Sequence, residues 1–188
     1  MPVGRIPVTL LTGFLGSGKT TLLNRALRDP AMARSMVIVN EFGAIGIDHD
    51  LIAHSRDAIV LLENGCLCCA VRSDLTTTLA TLGERRAGGR MAPFDRLLIE
   101  TSGLAEPARL VDLFQSDPRV RSAYALGRLV ATVDAVNAQD TLDRHDLAWR
   151  QLALADRVLI TKADLIDPVE RAAHLARLFE RLRAINPH

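Results

Sequence analysis

Short apolar runs recur along this chain, separated by stretches whose apolar residues fall at three- and four-residue intervals. Val8–Thr12, Met36–Asn40, Ile59–Leu62, Arg96–Thr101, Leu129–Asp134 and Val158–Thr161 are nearly continuous in Val, Ile and Leu. Runs of this kind, without polar alternation, predict strands buried on both faces. Thr20–Arg28, Asp74–Arg86, Ala108–Ser116 and Leu147–Ala155 carry helical spacing. Val169–Ala184 shows it most clearly, with Arg and Glu opposite the apolar stripe. Alternating strands and helices predict an α/β fold of three layers, α/β/α, around a mostly parallel central sheet. Right-handed crossovers would then gather the loops at the strands' C-terminal ends on one edge, where chemistry is expected. Arg85–Pro93, with Gly88 and Gly89, predicts a surface loop.

The first predicted strand runs into Gly13-Phe14-Leu15-Gly16-Ser17-Gly18-Lys19-Thr20, a full match to the pattern G-x-x-x-x-G-K-[ST]. Gly13, Gly16 and Gly18 allow backbone conformations closed to other residues, so that successive N–H groups can face phosphate oxygens. Lys19 brings positive charge to the β- and γ-phosphates, and the Thr20 hydroxyl can ligate Mg²⁺. The helix that follows adds the positive end of its dipole. This is the phosphate loop of a P-loop NTPase.

Two further motifs follow strands. Thr161-Lys162-Ala163-Asp164 comes after Val158–Ile160. In such a T/N-K-x-D arrangement the aspartate can accept hydrogen bonds from guanine N1 and N2, a donor pair that adenine lacks. The lysine stem can lie along the base. Glu100-Thr101-Ser102-Gly103 ends the strand begun at Arg96. An acid there can reach Mg²⁺ or its water shell, and Gly103 can offer its N–H to the γ-phosphate, opening a switch that continues through Leu104-Ala105-Glu106-Pro107.

All three cysteines of the chain lie in Cys66-Leu67-Cys68-Cys69. Three thiols within four residues cannot build a disulfide framework, and they suit Zn²⁺ or another borderline or soft cation. A closed structural zinc site takes four protein ligands, and no second cysteine pair exists, so an open or transient site is expected. Burial without function and a redox pair are the other readings. Glu41, Asp48, His49, Asp50 and His54 are the remaining candidate ligands. Glu41 is the best placed, directly after a strand; His49 and His54 are less favoured as isolated loop histidines.

Composition adds little to this picture. The 188 residues suit one domain, and 23 Lys and Arg against 22 Asp and Glu leave no basic excess for nucleic acid or an anionic membrane. Neither is expected as a partner. The apolar stretch after Arg5 leads straight into the phosphate loop rather than to a cleavage site, which, with the cysteine usage, points to the cytoplasm.

Taken in order, TGFLGSGKTTLLN, VNEFG, ENGCLCC, ETSGLAEP, the VDA of Val133-Asp134-Ala135, and TKAD resemble the CobW-like branch of the metallochaperone P-loop GTPases. That branch is related to the hydrogenase- and urease-maturation GTPases, and the resemblance covers essentially the whole chain. It implies that Gly13, Gly16, Ser17, Gly18, Lys19, Thr20 and Thr21 hold the phosphates, Thr20 with Mg²⁺, and that Thr161, Lys162 and Asp164 bind guanine. It places Glu41 and Glu100 in the switch and magnesium regions, and it implies that Cys66, Cys68 and Cys69 hold a transferred Zn²⁺ or Co²⁺. A client metalloprotein is implied as partner, and nucleotide-dependent homodimers occur among related GTPases. Family members continue beyond a segment like Ile185-Asn186-Pro187-His188 with a strand and loop over the guanine and a smaller C-terminal domain. The expectation is therefore a GTPase domain, 1–188, short of its last strand and of that second domain.

The function expected is GTP hydrolysis coupled to metal delivery. Lys19, Glu100 and Gly103 would carry the hydrolysis, and turnover would be slow because no catalytic Gln or arginine finger is assignable. A non-enzymatic, nucleotide-gated zinc-binding or sensing module is the alternative, and a small-molecule P-loop kinase is a third reading that TKAD and the cysteines argue against.

Overall fold

A computed structural model describes residues 4–40, 59–61 and 70–187. The apolar runs form β1 (Ile6–Thr12), β2 (Ser35–Asn40), β3 (Ile59–Leu61), β4 (Arg96–Thr101), β5 (Tyr124–Asp134) and β6 (Arg157–Thr161). They lie in one sheet in the order β3-β2-β4-β1-β5-β6, and every adjacent pair is parallel. The helices are α1 (Lys19–Leu27), α2 (Ala70–Ala87), α3 (Pro107–Ser116), α4 (Pro118–Ala123), α5 (Ala138–Arg144), α6 (Asp146–Ala153) and α7 (Arg171–Ile185). This is the α/β architecture expected.

Alternation along the strands sorts the core into two faces. Leu23 of α1 packs with Leu11, Val37 and Val39 on one side of the sheet. On the other side Leu75, Leu79 and Leu113 of α2 and α3 meet Val8, Leu10, Ile38 and Ile99. The same face continues over β5, where Ala131 and Val133 pack with Leu142, Leu152, Leu178 and Leu182 from α5, α6 and α7.

The structure differs from the sequence expectations at four places. β5 begins at Tyr124 rather than Leu129. Val8 pairs with Leu126 and Thr9 with Arg128, so Gly127 is the extra residue of a bulge. A Cβ at Gly127 would stand 3.2 Å from the Val8 carbonyl oxygen. The bulge shifts the pleat by one, and Leu126 and Leu129, three residues apart, therefore reach the same cluster. β6 is not buried on both faces. Among the described residues it is an edge strand, in which Val158 and Ile160 pack inward, while Arg157 is exposed and Leu159 is 41% exposed. Finally, α4 and α5 were not foreseen. α4 is a six-residue helix set by Pro118 in its first turn and by the Asp117 carboxylate, which accepts the Arg119 and Val120 N–H groups. The expected loop Arg85–Pro93 loses its first three residues to α2, which runs to Ala87.

Because all six strands are parallel, Thr12, Asn40, Leu61, Thr101, Asp134 and Thr161 end on one edge. No helix among the described residues is long and apolar enough to cross a membrane.

Candidate nucleotide-binding site

The loop after β1 is built on backbone that side chains would block. Gly13, Gly16 and Gly18 have φ of 140°, 69° and 87°. A Cβ on Gly13 would lie 2.4 Å from Thr132 Oγ1 and 2.6 Å from the Thr132 carbonyl oxygen. Gly18 caps α1 with no side chain of its own, so the helix's first N–H groups carry no side-chain cap. Such a terminus, reached through left-handed glycines, is suited to an anion.

Hydroxyl groups tie this loop to the neighbouring strands. Thr132 Oγ1 donates to the Thr12 carbonyl at 3.3 Å, and the Ser17 hydroxyl lies 2.7 Å from Thr132 Oγ1. Thr161 Oγ1 lies 2.7 Å from the Ser17 carbonyl and 3.1 Å from that of Val133. Lys19, only 4% exposed, points its ammonium back along the loop, donating to Gly13 O at 3.0 Å and Phe14 O at 3.3 Å. The Thr20 hydroxyl donates to Glu100 Oε1 at 2.5 Å, and Glu100 is fully buried. Register explains that contact: Glu100 pairs with Leu11, so the end of β4 lies alongside the start of the loop.

Gly103 closes the site from the β4 side. A Cβ there would meet Leu15 N, Cα and Cδ2, each at 2.8 Å. At the end of β6 the geometry is looser. Lys162 holds φ of 57°, the one positive-φ non-glycine among the described residues, and donates to Asp134 Oδ2 at 2.8 Å. The Asp134 carboxylate also accepts from Val136 N at 2.9 Å and Asn137 Nδ2 at 2.9 Å. Burial pushes the Asp134 carboxyl up, but the hydrogen bonds from Lys162, Asn137 and Val136 outweigh it and hold the group below the ordinary carboxylate range. Asp164 is exposed in a short 3₁₀ turn, Ala163–Leu165.

A glycine-built anion cradle, a buried lysine within it, a threonine–acid pair beside it and a lysine–aspartate edge beyond it are the parts of a nucleotide site. The profile described as "CobW/HypB/UreG, nucleotide-binding domain" matches residues 7–188. The chain belongs to this family. Among curated CobW/HypB/UreG relatives, the zinc chaperone YjiA of Escherichia coli is 40% identical over 96% of this chain and 55% of its own length. A zinc chaperone CobW from Sinorhizobium is 37% identical over 87% of this chain and 52% of its own length. The chain thus spans about half the length of the curated relatives it matches. The crystal structure of Zn(II)-bound YjiA GTPase superimposes with a TM-score of 0.68 and 32% identity, covering 96% of this chain and 55% of that one. HypB of Archaeoglobus fulgidus shares the fold, with a TM-score of 0.54 at 18% identity over 97% of this chain and 77% of its own.

Of the residues expected at the site of this CobW/HypB/UreG domain, the fold brings together Gly13, Gly16, Ser17, Gly18, Lys19, Thr20, Glu100, Gly103, Thr161 and Lys162. Thr161 engages the phosphate loop rather than open space. Thr21 is exposed on α1, and Asp164 stands at the open end. Cys66, Cys68, Cys69 and Glu41 lie outside the described residues. The cysteines belong to the connection from the end of β3 to the start of α2, and Glu41 directly follows β2. Sequence reasoning missed Thr132, a lone hydroxyl in an apolar strand, and Gln151, a polar residue on the apolar face of α6. Both left that much of a signal. The stacking of His145 on Phe14, centroids 4.4 Å apart, left none.

Proposed function

We propose that this chain is a GTPase domain that couples GTP binding and hydrolysis to the holding and release of zinc for a client metalloprotein. The observation that carries the reading is the Lys19–Thr20–Glu100 group, with Lys19 and Glu100 buried, at the mouth of a glycine-built anion cradle. Names borne by relatives, among them zinc chaperone and zinc-regulated GTPase metalloprotein activator, support the metal side of it.

In this reading Gly13, Gly16, Ser17, Gly18 and Thr21 hold the phosphates through the loop and the start of α1. Lys19 exchanges its two carbonyl partners for β- and γ-phosphate oxygens. Two hard oxygen donors, the Thr20 hydroxyl and the Glu100 carboxylate, stand together and fit Mg²⁺. Held there by Thr20 and Glu100, Mg²⁺ would neutralise charge on the phosphates. Gly103 offers its N–H to the γ-phosphate as water attacks phosphorus and the bond to the bridging oxygen breaks. Lys162 and Asp164 take guanine, and Thr161 supports them by holding Ser17. Cys66, Cys68, Cys69 and Glu41 take Zn²⁺ as cargo, with Co²⁺ an alternative for the same ligands. A cytoplasmic setting and a nucleotide-dependent homodimer belong to the same proposal.

Single-turnover hydrolysis of GTP and ATP by the purified chain, with Lys19→Ala as control, tests it. The proposal expects slow, GTP-preferring hydrolysis that the substitution abolishes. Nucleotide binding without any Lys19-dependent turnover would favour a non-enzymatic zinc module instead.

A further inference from the structure

Helix α6 carries a residue that packing alone does not explain. Ala148 and Leu152 are buried on its inner face, and between them Gln151 is 1% exposed. Its amide faces two carbonyl oxygens, Gly103 O at 3.1 Å and Ala105 O at 3.0 Å, so the NH₂ group donates to both. The amide oxygen is buried and accepts no hydrogen bond among the described residues. A methionine of similar volume would fill the position without stranding that oxygen. What the amide adds is therefore confined to the two donations onto the loop after β4.

Neighbouring contacts make that loop and the phosphate loop one unit. Arg150 Nε reaches Glu106 Oε2 at 3.0 Å on the same loop, from the solvent side. At the start of α6, His145 stacks on Phe14 of the phosphate loop. Gly103 lies against Leu15 so closely that no Cβ fits between them. Gln151 also lines a cavity of about 340 Å³ together with Leu15, Ser17, Thr132 and Lys162.

We propose that Gln151 is a positioning residue for triphosphate recognition. By fixing the backbone on the C-terminal side of Gly103 it holds that glycine against the phosphate loop, and so sets how strongly the site prefers GTP over GDP. This rests on the proposal that Gly103 contacts the γ-phosphate. An interaction felt only when the third phosphate is present changes the ratio of the two affinities, whereas a packing role changes both together.

The test measures affinities of the purified chain for a non-hydrolysable GTP analogue and for GDP, in wild type, Gln151→Met, Gln151→Asn and Gly103→Ala. The methionine keeps volume without donors; the asparagine keeps the amide one methylene short. Trp149, the single tryptophan, is two residues away and partly exposed, so its emission offers a direct titration signal. The expected result for Gln151→Met is an analogue-to-GDP affinity ratio lowered about tenfold with GDP affinity unchanged, and a smaller loss for Gln151→Asn. An unchanged ratio in both Gln151 variants, with a lowered one in Gly103→Ala, overturns the role of Gln151 and leaves the Gly103 reading standing. An unchanged ratio in all three variants overturns both. Equal weakening of the two nucleotides, or loss of GDP binding in both Gln151 variants, assigns the residue to packing and also overturns the inference.

Discussion

The two ends of the nucleotide site are built differently. At the phosphate end a chain of hydrogen bonds ties side chains to backbone or to a neighbour: Ser17 to Thr132, Thr132 to Thr12, Thr161 to Ser17, Lys19 to Gly13 and Phe14. These groups come from the phosphate loop, the start of α1 and the ends of β1, β5 and β6, and most are buried. At the base end Lys162 sits in a left-handed conformation and leans on Asp134, while Asp164 is exposed on an edge strand's loop. A preorganised grip loses little entropy when a triphosphate arrives, so under the proposed function the phosphate end would supply affinity. Under the same proposal the base end would supply choice, through the Asp164 carboxylate accepting from guanine.

Breaking the grip should give the largest effect. Lys19→Ala removes the buried cation, and GTP affinity is expected to fall by roughly 100-fold or more in calorimetric titration. A loss of only a few-fold would mean that the backbone cradle suffices without it. Breaking the choice should come next. Asp164→Asn replaces an acceptor pair by a mixed donor and acceptor, so GTP should weaken by about 100-fold while xanthosine triphosphate gains. Phosphate contacts should survive, which competition with free triphosphate would show.

Loosening the grip without removing charge is a smaller change. Thr132→Val keeps the shape of the side chain and deletes the hydroxyl between Ser17 and Thr12. It should cost about 1–2 kcal/mol of stability on chemical denaturation, because Ser17 Oγ loses its buried partner. The smallest effect concerns the Asp134–Lys162 pair. Asp134's folded pKa is lowered, so its contribution to stability is present above the ordinary carboxylate range and lost as pH falls through the folded value. Denaturation midpoints of wild type and Asp134→Asn should therefore run parallel from neutral pH down to about pH 5 and converge below about pH 4. Convergence already near neutrality would contradict the pairing.

The same contrast explains what was legible in the sequence. The phosphate loop is contiguous in sequence, so its glycines, Lys19 and Thr20 declare their chemistry together. Glu100 and Asp164 stood out as candidates because Glu100 lies at the end of one apolar strand and Asp164 just beyond another. Thr132, Gln151 and His145 reach the site from far along the chain, through sheet register and the return of α6, and no local pattern carries that information. β5's first half was hidden by Gly127 and Arg128, which interrupt the apolar run at a bulge. β6 looked like a central strand, since Val158 to Ile160 are all apolar; only the sheet order shows it at an edge.

The central claim is that the grip on the triphosphate is coupled to the hold on zinc. The direct measurement is zinc affinity of the purified chain with a non-hydrolysable GTP analogue and with GDP, in the presence of Mg²⁺. Coupling between two sites is reciprocal, so the account predicts zinc binding about tenfold tighter with the analogue, and equally a tighter analogue in the presence of zinc. Equal zinc affinities in the two nucleotide states would contradict it.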